Sequence, residues 1–201
     1  MIVEQSRRKM VFALAALAAL MQAPAAKAAN SGAQPAGERE RSYFTDTLLT
    51  DQFGNRNRFY SDILRSKTVL INFMFTGCSD ACPLMTHRLR RAMAALKDDF
   101  GRQIEFVSIT VDPLGDTLEE LKRYAERFDI PEKGWRFLTG KPNDVTTVLQ
   151  RLGERAKEKE VHTTLLLAGN VDTRHWRKIP PETAPHLIAA SLRDLAGISS
   201  Q

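Results

Sequence analysis

Three stretches of the chain are dense in apolar and β-branched residues: TVLINFMF at 68–75, IEFVSITV at 104–111 and HTTLLLAG at 162–169. Runs of this kind predict strands covered on both faces of a sheet. Between and after them the apolar positions change to helical spacing. LMTHRLRRAMAALKDDF (84–100), LEELKRYAERF (118–128), PNDVTTVLQRLGE (142–154) and PHLIAASLRDLAG (185–197) each predict a helix. The boundaries carry their own signals. Pro83 and Pro185 suit first turns, and Thr117 with Glu120 forms a capping-box pattern. RFLTG (136–140) and residues 173–179 predict short strands, the latter at an edge. Residues 42–66 predict a β-hairpin: SYFTDTLLT leads to the turn DQFGNRN, and residues 59–64 close it. No internal repeat is present. Strands alternating with helices predict an α/β domain with a mixed, mostly parallel central sheet and helices on both faces.

Residues 1–28 follow a different pattern. Arg7, Arg8 and Lys9 precede an uncharged run from Met10, and AKA stands at 26–28. This order predicts a secretory signal cleaved after Ala28. Its unbroken apolar part, 10–21, falls short of the roughly 20 residues of a membrane span, although an uncleaved inner-membrane anchor is the alternative reading. Ser6-Arg7-Arg8-Lys9 also resembles a twin-arginine signal. Residues 29–41, ANSGAQPAGERER, are small and polar and predict a flexible linker. The domain is therefore expected over 42–198, in the periplasm.

The signal alters the meaning of the charge. The whole chain is +5, but residues 29–201 hold 25 basic and 23 acidic side chains, a net of +2. No basic tract is interleaved with aromatics, which excludes a nucleic-acid-binding surface of the usual kind.

Cys78 and Cys82, within TGCSDACPLMT, are the only cysteines. Cys78 is expected at the exit of strand 68–75, the carboxyl end where ligands of such sheets bind. Cys82 is expected at the start of the following helix, where backbone N–H groups and the helix dipole favour a thiolate. Four readings remain open from the residues alone. A structural disulfide would form readily after export, but closing so small a loop removes little unfolded-state entropy. A thioredoxin-type dithiol would have two intervening residues rather than three, and a proline before the strand near His162. A peroxiredoxin-type pattern fails at Phe75 and Ile71. A soft-metal site needs a third ligand, and the histidines are His87, His162, His175 and His186. His87 and His186 fall within predicted helices, His175 in the edge strand, and His162 at a strand start. Copper(I) prefers thiolates and accepts a Cys2His set, whereas structural zinc wants a fourth protein ligand. Met74 and Met85 flank the cysteines as core residues, Asp80 solvates the loop, and Asp112 caps its turn.

FMFTGCSDACP resembles the copper-site motif of the Sco family of copper chaperones, also called SenC, through Phe73, Phe75, Thr76, Cys78, Cys82 and Pro83. Asp112, Pro113, Asp116, Thr117, Trp135 and LTG (138–140) follow in the family's order, and His162 holds the place of its metal-binding histidine. The similarity covers about residues 42–195. Ser79 departs from the family's proline after the first cysteine, and Val161 from its aspartate before the histidine. An orienting carboxylate is then expected from Glu160 or elsewhere. The resemblance implies a thioredoxin-like fold with an N-terminal hairpin and one copper held by Cys78, Cys82 and His162. It also implies delivery to the dinuclear copper centre of cytochrome c oxidase, with the copper-acceptor subunit as partner, beside other periplasmic copper chaperones or thiol reductases. Its alternatives are a thiol–disulfide oxidoreductase using Cys78 and Cys82 as a redox-active pair, and a redox or copper sensor.

Overall fold

The computed structural model describes residues 37–156 and 158–198. The predicted signal at 1–28 and most of the predicted linker lie outside the described residues.

Seven strands form one sheet: β1 (Leu48–Asp51), β2 (Arg56–Arg58), β3 (Thr68–Met74), β4 (Ile104–Thr110), β5 (Trp135–Thr139), β6 (Leu166–Asn170) and β7 (His175–Ile179). Their order is β2-β1-β5-β4-β3-β6-β7. The sheet is mixed as expected but not mostly parallel: β3–β4 and β4–β5 pair parallel, and the other four pairings are antiparallel because hairpins extend both edges. Among the described residues five α-helices complete the fold: α1 (Glu38–Phe44), α2 (Ala81–Leu96), α3 (Leu118–Arg127), α4 (Pro142–Arg151) and α5 (Pro185–Leu195).

All seven residues of β3 and all seven of β4 are buried, as their unbroken patterns require. Side chains alternate between the two faces. Leu70 and Met74 of β3 join a core with Leu89 and Leu96 of α2, Leu121 and Tyr124 of α3, and Ile188 and Leu192 of α5. Val69, Ile71 and Phe73 join the opposite core with Val145 and Val148 of α4. Burying a side chain of this size is worth about 1.5–3 kcal/mol, so β3 and β4 anchor the sheet at its centre. Polar groups inside it are matched. The Ser108 hydroxyl donates to Asn72 Oδ1 at 2.8 Å and accepts from the Trp135 indole N–H at 2.9 Å.

The N-terminal region corrects two expectations. The predicted linker includes residues 38–41, but these form the first turn of α1, which runs on through Ser42, Tyr43 and Phe44. The predicted hairpin at 42–66 contracts to β1 and β2. Its turn is fixed by Asp51, whose Oδ1 accepts from the N–H groups of Phe53 and Asn55 at 3.0 and 2.9 Å. Phe59–Leu64 is a single π-helical turn rather than a strand. Phe59, Tyr60, Ile63 and Leu64 are its buried residues, two pairs four apart, and a strand would turn one member of each adjacent pair outward.

Candidate metal centre

The directions of β3, β4 and β6 place the predicted site residues at one edge of the sheet. β4 runs parallel to β3, with Met74 opposite Thr110, so both strands end at one edge. β6 runs antiparallel to β3, with Ile71 opposite Leu167. Four residues further along β3 is Phe75, and four residues back from Leu167 is Thr163. The register therefore carries His162 to the Phe75–Thr76 end of β3. The chain differs here from the sequence expectation, which begins a strand at His162. The strand starts at Leu166, and His162 follows a short 3-10 turn, Lys159–Val161.

Both cysteines are free thiols. Cys78 is half-buried in the loop after β3, and Cys82 is buried in the first turn of α2. The Cys82 N–H donates to Cys78 Sγ at 3.4 Å. Burial pushes the Cys78 thiol up, but hydrogen bonds from the backbone of Cys82, Asp80 and Ala81 outweigh it and hold the group below its ordinary value. Burial pushes the Cys82 thiol up to about 12, only partly offset by a backbone hydrogen bond from Phe75. The expectation that the helix start favours a Cys82 thiolate is thus corrected. Cys82 sits too deep, and the N–H groups of the helix start point at Cys78 instead, as helix termini favour nearby anions.

The loop before Cys78 is tied down by Asp116, which is 1% exposed. Asp116 Oδ1 accepts from the Thr76 N–H at 2.9 Å and the Thr76 hydroxyl at 2.6 Å, and its Oδ2 accepts from the Thr110 hydroxyl at 2.5 Å. Behind Cys82, the Thr86 hydroxyl donates to the Cys82 carbonyl at 2.9 Å and lies 2.8 Å from the Tyr124 hydroxyl.

His162 stands edge-on to the Phe75 ring, centroids 5.9 Å apart. Its Nδ1 pairs with the Lys159 carbonyl. A carbonyl only accepts, so Nδ1 donates this hydrogen bond, and in the neutral ring Nε2 is the nitrogen that offers a lone pair. The orienting partner is therefore a backbone carbonyl; Glu160 has no hydrogen bond to the ring. Two further side chains shape this segment. The buried Glu154 accepts from the Thr163 N–H and the Ala156 N–H, each at 2.7 Å. Lys159 Nζ donates to Asp112 Oδ2 at 2.6 Å and lies 5.2 Å from the Phe75 ring centroid. Asp112 also caps its turn, accepting from the Gly115 N–H at 3.2 Å. Sequence reasoning missed Glu154 and Lys159 because both lie in a charge-rich run that reads as a solvated loop.

The remaining candidates lie elsewhere. His87, His175 and His186 are exposed, and His87 packs edge-on against Phe128 at 5.0 Å. Met74 is a core residue, and Met85 packs partly buried against the same core. The structure brings Cys78 and Cys82 together and sets His162 across the Phe75 ring. The three do not converge into a closed set: among the described residues no three His, Cys, Asp or Glu side chains are grouped to hold a metal ion. In chemistry the donors suit a soft cation, with two sulfurs and one imidazole nitrogen.

Comparison with known proteins is consistent along the whole domain. The SCO1/SenC family model matches residues 36–197. A Stutzerimonas stutzeri protein named for copper binding is 31% identical over 105 residues, 52% of this chain and 49% of that protein. The SCO1 protein homolog of Bacillus subtilis is 32% identical over 77 residues, 38% of this chain and 39% of its own length. The chain thus spans about half or less of the length of these relatives. Among solved structures, Bradyrhizobium japonicum ScoI with copper bound has a TM-score of 0.63 at 27% identity, covering 74% of this chain and 96% of that one. A SCO1/SenC family lipoprotein from Bacillus anthracis has a TM-score of 0.64 at 25% identity, covering 74% and 92%. The fold is the one these Sco structures share, and the chain belongs to the SCO1/SenC family.

Proposed function

We propose that this protein is a periplasmic copper chaperone that carries one copper ion on Cys78, Cys82 and His162 and delivers it to the dinuclear copper centre of cytochrome c oxidase. The observation that carries the reading is the pairing of two free thiols at the end of β3 with an imidazole, across the Phe75 ring, whose Nδ1 is taken up by a backbone carbonyl. The copper-bound Bradyrhizobium japonicum relative supports copper as the cargo. Cys78 takes the role of the accessible ligand, half-buried and held toward the thiolate by the start of α2. Cys82 is the inner ligand and must lose its proton to bind. His162 supplies the nitrogen. An exposed loop suits exchange with an acceptor, whose thiolates replace these ligands one at a time.

A second reading rests on the contrast between the two thiols. A low-pKa, accessible cysteine beside a buried, protonated one is also the arrangement of a dithiol reductase. Cys78 would attack an acceptor disulfide and release one acceptor thiolate. Cys82, after losing its proton, would then attack the mixed disulfide, leaving a Cys78–Cys82 disulfide and a reduced acceptor. His162 separates the readings, because this sequence of steps does not use it.

The test is complementation of a strain lacking the gene, at limiting copper, scored by assembled oxidase. Chaperone action predicts failure of both Cys78→Ser and His162→Ala, with the variant proteins present and folded. Normal oxidase with His162→Ala but not with Cys78→Ser would assign the protein to thiol reduction instead.

A further inference from the structure

His162 lies in the connection between α4 and β6, where, among the described residues, the one regular element is a short 3-10 turn. Such a segment has many conformations, and ordering it costs about 1–2 kcal/mol per residue in backbone entropy. A ligand on it needs something to hold it in place. Neither of the two residues before His162 orients the ring. Val161 is 67% exposed and has no polar side-chain atom, and Glu160 makes no side-chain hydrogen bond among the described residues.

Lys159 is tied in at both ends. Its carbonyl receives the Nδ1 proton of His162. Its ammonium bridges to Asp112 Oδ2 at 2.6 Å, and sits over the Phe75 ring at 5.2 Å from the centroid. Phe75 is thus a shared platform, with the imidazole edge-on to it and the ammonium above it. Asp112 belongs to a different part of the fold, the turn after β4, where its other oxygen is engaged by Gly115. The Lys159 side chain is 39% exposed and that of Asp112 21%. An ion pair so placed adds little to global stability, but it fixes one end of a loop to a turn anchored on the sheet.

We infer that the Asp112–Lys159 ion pair is a latch that positions His162, holding the turn at 159–161 so that the imidazole keeps one tautomer and presents Nε2 toward the site. This rests on the proposed copper-binding role of His162 for its consequence, and on the apo geometry alone for its existence. Lys159 and Asp112 are positioning residues that act on the ligand through the Lys159 carbonyl. Groups that orient a metal-binding imidazole typically change metal affinity by about 10–100-fold when removed.

The experiment uses the full reduced chain in two measurements. The first is the imidazole nitrogen spectrum of His162 in the apo protein. The wild-type chain should show the Nδ1–H tautomer, Lys159→Met and Asp112→Asn should show an averaged imidazole, and Lys159→Arg should restore the fixed form. The second is competition for copper(I) against a colorimetric chelator. Affinity should fall about tenfold or more in Lys159→Met and Asp112→Asn, and return toward wild type in Lys159→Arg and in the reversed pair Asp112→Lys/Lys159→Asp. Thermal melts confirm that each variant is folded. Wild-type tautomer and affinity in Lys159→Met would overturn the latch, as would failure of both Lys159→Arg and the reversed pair to restore them. A wild-type chain that binds no copper would refute the proposed function instead. The latch is then judged on the apo spectra, where an unchanged Lys159→Met spectrum overturns it and a lost and restored tautomer supports it.

Discussion

The Cys82 backbone N–H donates to the Cys78 sulfur at 3.4 Å, so one cysteine's peptide group stabilises the other's side chain. The two thiols are made unlike by position. Cys78 lies outside the helix start and faces its N–H groups; Cys82 lies inside the first turn, against Met74, Leu89 and the rest of that core. The thiolate is the reactive form, so alkylation should be ordered. Iodoacetamide at neutral pH should label Cys78 in the folded, reduced protein well before Cys82, and unfolding should equalise them. Peptide mass mapping over time reads the order. Equal rates in the folded state would contradict the assigned asymmetry.

Alkaline pH should expose the same contrast as a stability effect. The Cys82 thiol is raised from an ordinary 9.0 to about 12 by burial first, then by the nearby Cys78 and the charge of Asp116. Between these values the unfolded chain has released the proton and the folded chain still holds it. The stabilising contribution of the neutral thiol is therefore complete below about pH 9 and is lost as pH rises toward 12. Apo-protein melting temperatures should fall more steeply above pH 9 for the wild type than for Cys82→Ala. Parallel curves would contradict the shift. With copper, the same proton must leave, so loading should release at least one proton per ion in weakly buffered solution.

Asp116 joins the loop before the cysteines to the end of β4. Asp116→Ala leaves the Thr76 N–H and the hydroxyls of Thr76 and Thr110 without their acceptor. A buried polar group left unpaired costs about 1–3 kcal/mol, and partial relaxation of the loop places the expected loss at about 2–4 kcal/mol. Urea unfolding measures it. Amide exchange at Thr76 and Cys78 should speed up more than the global change accounts for. A change under about 0.5 kcal/mol, the level of ordinary surface substitutions, would show that the loop does not depend on this carboxylate.

The central strands were legible because β3 and β4 are covered on both faces, and an unbroken apolar run has no other economical place. The cysteines followed from that, since they stand directly after β3. The π-helical turn Phe59–Leu64 was hidden because FYSDIL is short and aromatic, and only its buried pairs distinguish it from a strand. The sequence pattern puts the start of β6 four residues early, at His162 rather than Leu166. His162, Thr163 and Thr164 suit a strand by composition, but the Glu154 carboxylate takes the Thr163 N–H and keeps this stretch out of the ladder. Pattern alone favours a thiolate at Cys82 as well as Cys78, because helix position indicates where N–H groups lie and not which sulfur turns toward them. Lys159 could not be found at all from pattern, since its role depends on a carbonyl direction and on Asp112, 47 residues away.

The most direct test of the central claim is X-ray absorption at the copper edge of the reduced, copper(I)-loaded full chain, with metal analysis after gel filtration. One copper per chain is expected, with two sulfur neighbours and one imidazole nitrogen. His162→Ala should lose the nitrogen while His87→Ala and His186→Ala keep it. A copper site without sulfur, or a nitrogen that survives His162→Ala, would contradict the assignment of Cys78, Cys82 and His162.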